Sequence, residues 1–173
     1  MAVATANQTI GPYWHLIEDP TWADLTRFGA SGERIVLTGS VFDGGGDPVA
    51  DAAIEIWQSS PAASDSFPGF GRCRTDGAGS FRFTTVRPGP VAGPGNAQQA
   101  PHVAVSIFAR GLLKALTTRL YFADEALNET DPILSMIEDA ARRRSLIARK
   151  VADETWHLDL CLQGDNETVF LEF

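Results

Sequence analysis

ERIVLTGSVFDGGGDPVADAAIEIWQ, residues 33–58, decides the fold. Ile35, Leu37, Gly39 and Val41 alternate with Arg34, Val36, Thr38, Ser40 and Phe42. A period of two places one set on each face of a β-strand. Asp43-Gly44-Gly45-Gly46-Asp47-Pro48 then stops the strand, since these residue types suit turns and not ladders. Residues 52–58 resume the alternation, with Ile54, Ile56 and Gln58 on one face and Ala53, Glu55 and Trp57 on the other.

On the C-terminal side a loop rich in Ser, Pro and Gly is expected up to Gly71, then a turn at Thr75-Asp76-Gly77-Ala78-Gly79 and a strand from Ser80 to Val86. Residues 87–100 hold three Pro and three Gly, so neither helix nor strand is expected there. Strands are predicted over 102–110 and 117–122. Asp131-Pro132 reads as a helix cap and first turn, with Ile133, Leu134, Ile137 and Ala141 on one face and Arg142-Arg143-Arg144 at the C-terminal end. A hairpin is predicted from residues 146–151 and 155–163, and a last strand over 168–173. About eight short strands with frequent turns and one helix indicate a mainly all-β chain, a β-sandwich. One domain over 1–173 is expected, with an irregular N-terminal arm at 1–33 and the sandwich at 34–173. So long an irregular arm is typically functional or wrapped on a partner.

The chain has 173 residues, 14 basic and 22 acidic, for a net charge of −8. That charge argues against nucleic acid and anionic membranes as partners. The N-terminus has no basic start and no apolar run of export length, and no stretch approaches a membrane span. A cytoplasmic protein is expected, with Cys73 and Cys161 as free thiols. Two Cys exclude a Cys-quartet zinc site, and there are only two Tyr and three His.

Further motifs accompany residues 33–58. Thr9-Ile10-Gly11-Pro12-Tyr13 lies near the start. Later come FGRCRTDGAGSFRFTTVRPGPV at 70–91, APHVAVSIFARGL at 100–112, TRLYFADE at 118–125 and QGDNETVFLEF at 163–173. With these motifs the chain resembles the intradiol ring-cleavage dioxygenases over nearly its whole length, and among them the α subunits that carry no iron. Catalytic members hold a ferric ion with two tyrosinates and two histidines, hard donors suited to a hard cation. This sequence departs from that set. Where the family has a Tyr after Pro-Gly-Pro, it has Val91. No Tyr occurs between Gln58 and Arg119. His102 is kept, but the second His position is Ala104, and the family's catalytic Arg aligns with Gln99. One ligand of four cannot hold iron.

The resemblance therefore implies no catalytic residue, metal or cofactor in this chain. It implies an iron-bearing β subunit as partner, with Fe(3+) held there. Together the subunits would cleave 3,4-dihydroxybenzoate with O2 to 3-carboxy-cis,cis-muconate. It further implies that Thr9, Gly11, Pro12, Tyr13 and Arg110 border the partner's active site and line its substrate pocket. Physical chemistry agrees with that assignment. The substrate is an anion, and Arg offers a planar fork to a carboxylate. Gly11 lets backbone approach closely, and Pro12 is a rigid apolar wall. Arg110 stands eight residues from His102, about 26 Å along an extended strand, so it is not expected to serve the vestigial pocket.

No other chemistry is legible. His15, His102 and His157 do not suggest a convergent pair, and His157 reads as a polar-face neighbour of Asp159. There is no GxSxG motif. Asp124-Glu125 reads as a solvated turn. The alternative is a non-enzymatic β-sandwich binding module that retains only the fold.

Overall fold

The computed structural model describes residues 9–172. The expected start of the arm and the last residue of the expected final strand lie outside the described residues. Eleven strands appear among the described residues, where about eight were expected. They are β1 (Arg34–Phe42), β2 (Ala53–Trp57), β3 (Phe70–Arg74), β4 (Ser80–Val86), β5 (Val91–Ala92), β6 (Gln98–Gln99), β7 (His102–Phe108), β8 (Leu116–Phe122), β9 (Ile147–Ala152), β10 (Thr155–His157) and β11 (Leu160–Cys161). Nine form one sheet in the order β11-β1-β10-β9-β8-β7-β2-β3, with β4 on the other edge of β1. Five residues, 75–79, carry the chain from β3 at one end of this path to β4 beside β1 near the other, so the sheet folds over as a sandwich.

The inward faces of its two halves meet in one apolar core. Ile35, Leu37 and Val41 of β1 and Phe81 and Phe83 of β4 lie in the same cluster as Ile54 and Ile56 of β2 and Val103, Val105 and Ile107 of β7. Each such side chain contributes about 1.5–3 kcal/mol on full burial. Buried Gln58 ties the end of β2 to β4: its amide donates to the carbonyls of Ser60 and Val86 and accepts from Thr85 Oγ1.

The structure corrects several expectations. The arm is not irregular throughout: 3-10 turns form at Trp14–Ile17 and Pro20–Ala23, the second capped by Asp19. The predicted loop up to Gly71 overruns the first two residues of β3, Phe70 and Gly71. Gly71 disguises that strand, yet it is required there, because a Cβ would meet Leu25 Cδ1 at 2.4 Å and the Trp22 carbonyl at 2.9 Å. Within 87–100, β5 and β6 pair as a small ribbon, Val91 opposite Gln99. The single predicted helix is two, α1 (Pro132–Ser135) and α2 (Ala140–Arg144). Asp139 starts the second by accepting from the amides of Ala141 and Arg142, so Ala141 is exposed and shares no face with buried Leu134. The segment after β9 is split into β10 and β11. Residues 168–171 make isolated hydrogen bonds to Cys161, Thr117 and Thr118 and form no strand.

Candidate functional site

The arm is pinned on both sides of Arg110. β7 ends at Phe108, and Ala109 and Arg110 turn away from it. Thr9 Oγ1 donates to the Ala109 carbonyl at 3.2 Å. Trp14, nearly buried, donates its indole N–H to the Asp51 carbonyl at 3.2 Å. The Asp51 carboxylate faces Arg110 Nε at 3.9 Å and Arg74 Nη1 at 3.8 Å. Arg74 also meets Glu18 of the arm at 3.5 Å. Exposed ion pairs of this kind are worth about 1 kcal/mol or less, so they orient Arg110 more than they bind it.

Between the two anchors run Gly11, Pro12 and Tyr13. Gly11 has φ +76, and nothing lies within 4 Å of where its Cβ would be. Its conformation, not crowding within this chain, calls for glycine. Tyr13, Leu16 and Ile17 are each at least 70% exposed. The structure thus brings Thr9 beside the Ala109–Arg110 peptide and leaves Gly11, Pro12 and Tyr13 on the surface that follows. Under the arm, Thr9, Ile10, Trp14, Ile17 and Phe108 line a cleft of about 390 Å3 that the Glu55–Arg72 ion pair completes. Sequence reasoning missed Asp51, since nothing in its neighbours signals a bridge from residue 51 to residue 110.

Val91, His102 and Ala104, the positions expected to be degenerate ligands, lie elsewhere. Val91 stands opposite Gln99 in the ribbon, His102 opposite Tyr121, and Ala104 opposite Arg119 across β7 and β8. Arg119 Nη1 donates to Gln99 Oε1 at 2.6 Å and to Tyr121 Oη at 3.2 Å. The Tyr121 hydroxyl donates to Asp131 Oδ1 at 3.1 Å. Asp131, fully buried, also accepts from the amides of Ala100, Ile133 and Leu134. His102 Nδ1 lies 2.7 Å from the Ala100 carbonyl, and its ring packs 5.4 Å from that of Tyr121. Burial holds the His102 imidazole below its usual pKa, and the Arg119 charge pushes the same way. Burial pushes the Tyr121 phenol well above its usual range.

These residues do not fit a ferric ion. Val91 and Ala104 carry no donor. His102 offers one imidazole, with its Nδ1 against the Ala100 carbonyl, and the Tyr121 hydroxyl is committed to Asp131. Among the described residues no three His, Cys, Asp or Glu side chains converge on a metal-sized space. The remaining candidates are occupied locally. His157 lies between Thr38 Oγ1 at 3.1 Å and Asp159 at 2.9 Å. Asp124 pairs with Arg87 at 2.7 Å, while Glu125 caps the Leu127 amide. Cys73 is buried, which raises its thiol pKa to about 12, and both cysteines are free.

The chain is thus a β-sandwich with an arm docked at the end of β7 and a largely buried polar cluster around Arg119, Tyr121 and Asp131. A dioxygenase family model matches residues 18–158, and the chain belongs to the intradiol ring-cleavage dioxygenase family. It is 38% identical over 193 aligned positions to the protocatechuate 3,4-dioxygenase alpha chain of Pseudomonas putida, covering 98% of this chain and 96% of that one. It is also 36% identical to the beta chain of the Burkholderia cepacia enzyme, over 79% of this chain and 67% of the relative. Among solved structures, the dioxygenase domain of a dioxygenase–carbohydrate-binding fusion from Streptomyces sp. SirexAA-E superposes with a TM-score of 0.63 at 27% identity, over 91% of this chain and 97% of that one. No helix among the described residues is long and apolar enough to cross a membrane.

Proposed function

We propose that this chain is the non-iron α subunit of a hetero-oligomeric protocatechuate 3,4-dioxygenase. Its partner is a β subunit that holds Fe(3+). The pair cleaves 3,4-dihydroxybenzoate with O2 between the hydroxyl-bearing carbons, giving 3-carboxy-cis,cis-muconate. That reaction belongs to cytoplasmic aromatic catabolism through the β-ketoadipate pathway. The α chain supplies structure and one wall of the partner's pocket: Thr9, Gly11, Pro12 and Tyr13 from the arm, and Arg110 for the anionic substrate.

One observation carries this reading. The arm and Arg110 are held together by Thr9 on Ala109 and Trp14 on Asp51, while the ligand positions Val91 and Ala104 of the same chain have no donor atoms. A chain that has lost its own chemistry but keeps a built, exposed cationic corner suits work on another subunit's substrate.

The test is co-expression with a β-type chain carrying both tyrosines and both histidines. Activity and ferric iron are expected in the complex, and neither in this chain purified alone. Stoichiometric iron with a visible tyrosinate band in the lone chain would sink the reading. Replacing Arg110 by Ala in the complex is expected to raise KM for protocatechuate roughly tenfold, the scale of one charge-assisted hydrogen bond, with iron content unchanged. Wild-type KM and kcat would remove Arg110 from the pocket.

A further inference from the structure

The absence of three of the four ligands explains why iron would not be held. It does not explain what the pocket holds instead. Three cross-strand pairs converge on the answer. Ala104 faces Arg119, His102 faces Tyr121, and Val91 faces Gln99. Arg119 links them, through Gln99 Oε1 at 2.6 Å and Tyr121 Oη at 3.2 Å. Directly opposed side chains start from Cβ atoms about 5 Å apart. A methyl group at Ala104 leaves that space to the guanidinium, and an imidazole there would compete for it.

We propose that the guanidinium of Arg119 takes the place of the metal ion, as a cation built into the chain that closes the vestigial pocket against iron. Arg suits this role better than Lys. Its Nη1 donates to Gln99 and to Tyr121, and the rest of the planar, delocalised guanidinium is more weakly hydrated than an ammonium. Its charge also has a counterion. Buried Asp131 accepts from Tyr121, whose hydroxyl in turn accepts from Arg119, so the cation and the carboxylate are joined through one phenol. A second cation in this space would meet like-charge repulsion at short range in a partly dehydrated site. The inference is independent of whether an iron-bearing partner exists.

The consequence is that restoring ligands alone does not restore metal binding. The experiment compares the full chain carrying Val91→Tyr and Ala104→His, which with His102 makes three of the four ligands, with the same chain also carrying Arg119→Gln. Glutamine keeps an amide donor for Tyr121 and removes the charge. Each is loaded with ferric iron, desalted, and read by metal analysis and by visible tyrosinate absorption, with circular dichroism to confirm the fold. The expected result is background iron with Arg119 present and about one iron per chain without it. Stoichiometric iron with Arg119 in place overturns the proposal, and so does a folded Gln variant that stays empty.

A second readout covers a triple variant that fails to fold. His102 is faced by Arg119 and Tyr121 from β8 and by Asp131 ahead of α1. In the otherwise wild-type chain, Arg119→Gln removes the one cation among them. The His102 ring titration, followed by NMR, is then expected to move to higher pH. An unchanged titration means that no fixed positive charge acts in the pocket, and the proposal fails.

Discussion

At the scale of single residues, His102 is the most informative side chain. The resemblance makes it the one ligand position kept, yet burial, and after it the Arg119 charge, hold its imidazole below the usual pKa. In the unfolded chain the ring takes a proton near its ordinary pKa. Between the two values the unfolded state binds more protons, so stability falls as pH drops through that window and is fully present above about 6.5. Thermal unfolding is therefore expected to lose midpoint temperature as pH falls below about 6.5. His102→Asn, which can donate to the Ala100 carbonyl without titrating, should lack that limb. A variant with the same pH profile as the wild type would exclude His102 as the cause. The losses at Val91 and Ala104 were legible in the sequence because a side chain without a donor atom is inert whatever surrounds it. Arg119 was not legible, because its place opposite Ala104 depends on the register of β7 against β8. Only long-range pairing sets that register.

At the scale of elements, β1 organises the sheet. It pairs with β4 along one edge and with β10 and β11 along the other. The ladder on that second edge breaks between β10 and β11, where the Leu158 amide donates to Thr38 and Asp159 Oδ1 accepts from the Ser40 amide. Gly39 sits at this break, and a Cβ on it would fall 1.9 Å from the Leu158 carbonyl oxygen and 2.6 Å from Phe81. Backbone cannot yield as a flexible side chain does. Gly39→Ala is expected to cost about 3 kcal/mol, the upper end for overpacking, and to lower Tm by roughly 10 °C in a chain of this size. A shift of under about 2 °C in calorimetry would mean that β10 and β11 can move off β1 freely. The same elements explain which boundaries the sequence carried. β4 matches its predicted bounds, and β1 starts at the predicted Arg34, because unbroken alternation and flanking turn residues mark them. β3 was hidden by a glycine that the Trp22–Leu25 segment requires. The expected helix became two because Asp131 and Asp139 are both caps, and a cap within an apolar period wins locally over the period.

At the scale of the whole molecule, charge and exposed apolar surface are unevenly placed. A net charge of −8 keeps the chain soluble but opposes an anionic substrate. Any help toward such a substrate must come from a local cation, and Arg110 is 63% exposed beside the arm. On that arm Tyr13, Leu16 and Ile17 present apolar side chains to solvent, while Trp14 between them is buried. Trp14 therefore secures the 3-10 turn to the sandwich, and its neighbours are left facing outward. Their exposure costs the isolated chain little, and covering them would recover about 1.5–3 kcal/mol for each side chain fully buried. Replacing Tyr13, Leu16 and Ile17 together by Ser should leave the midpoint temperature of the lone chain within a few degrees, since none belongs to the core. The same triple variant is expected to weaken assembly with a β-type chain at least tenfold, measured by analytical ultracentrifugation of the mixed subunits. Unweakened assembly would place the α–β contact on another face. A large loss of stability in the lone chain would instead mean that the arm is part of the sandwich's own support, and that its outward residues were not spared for a partner.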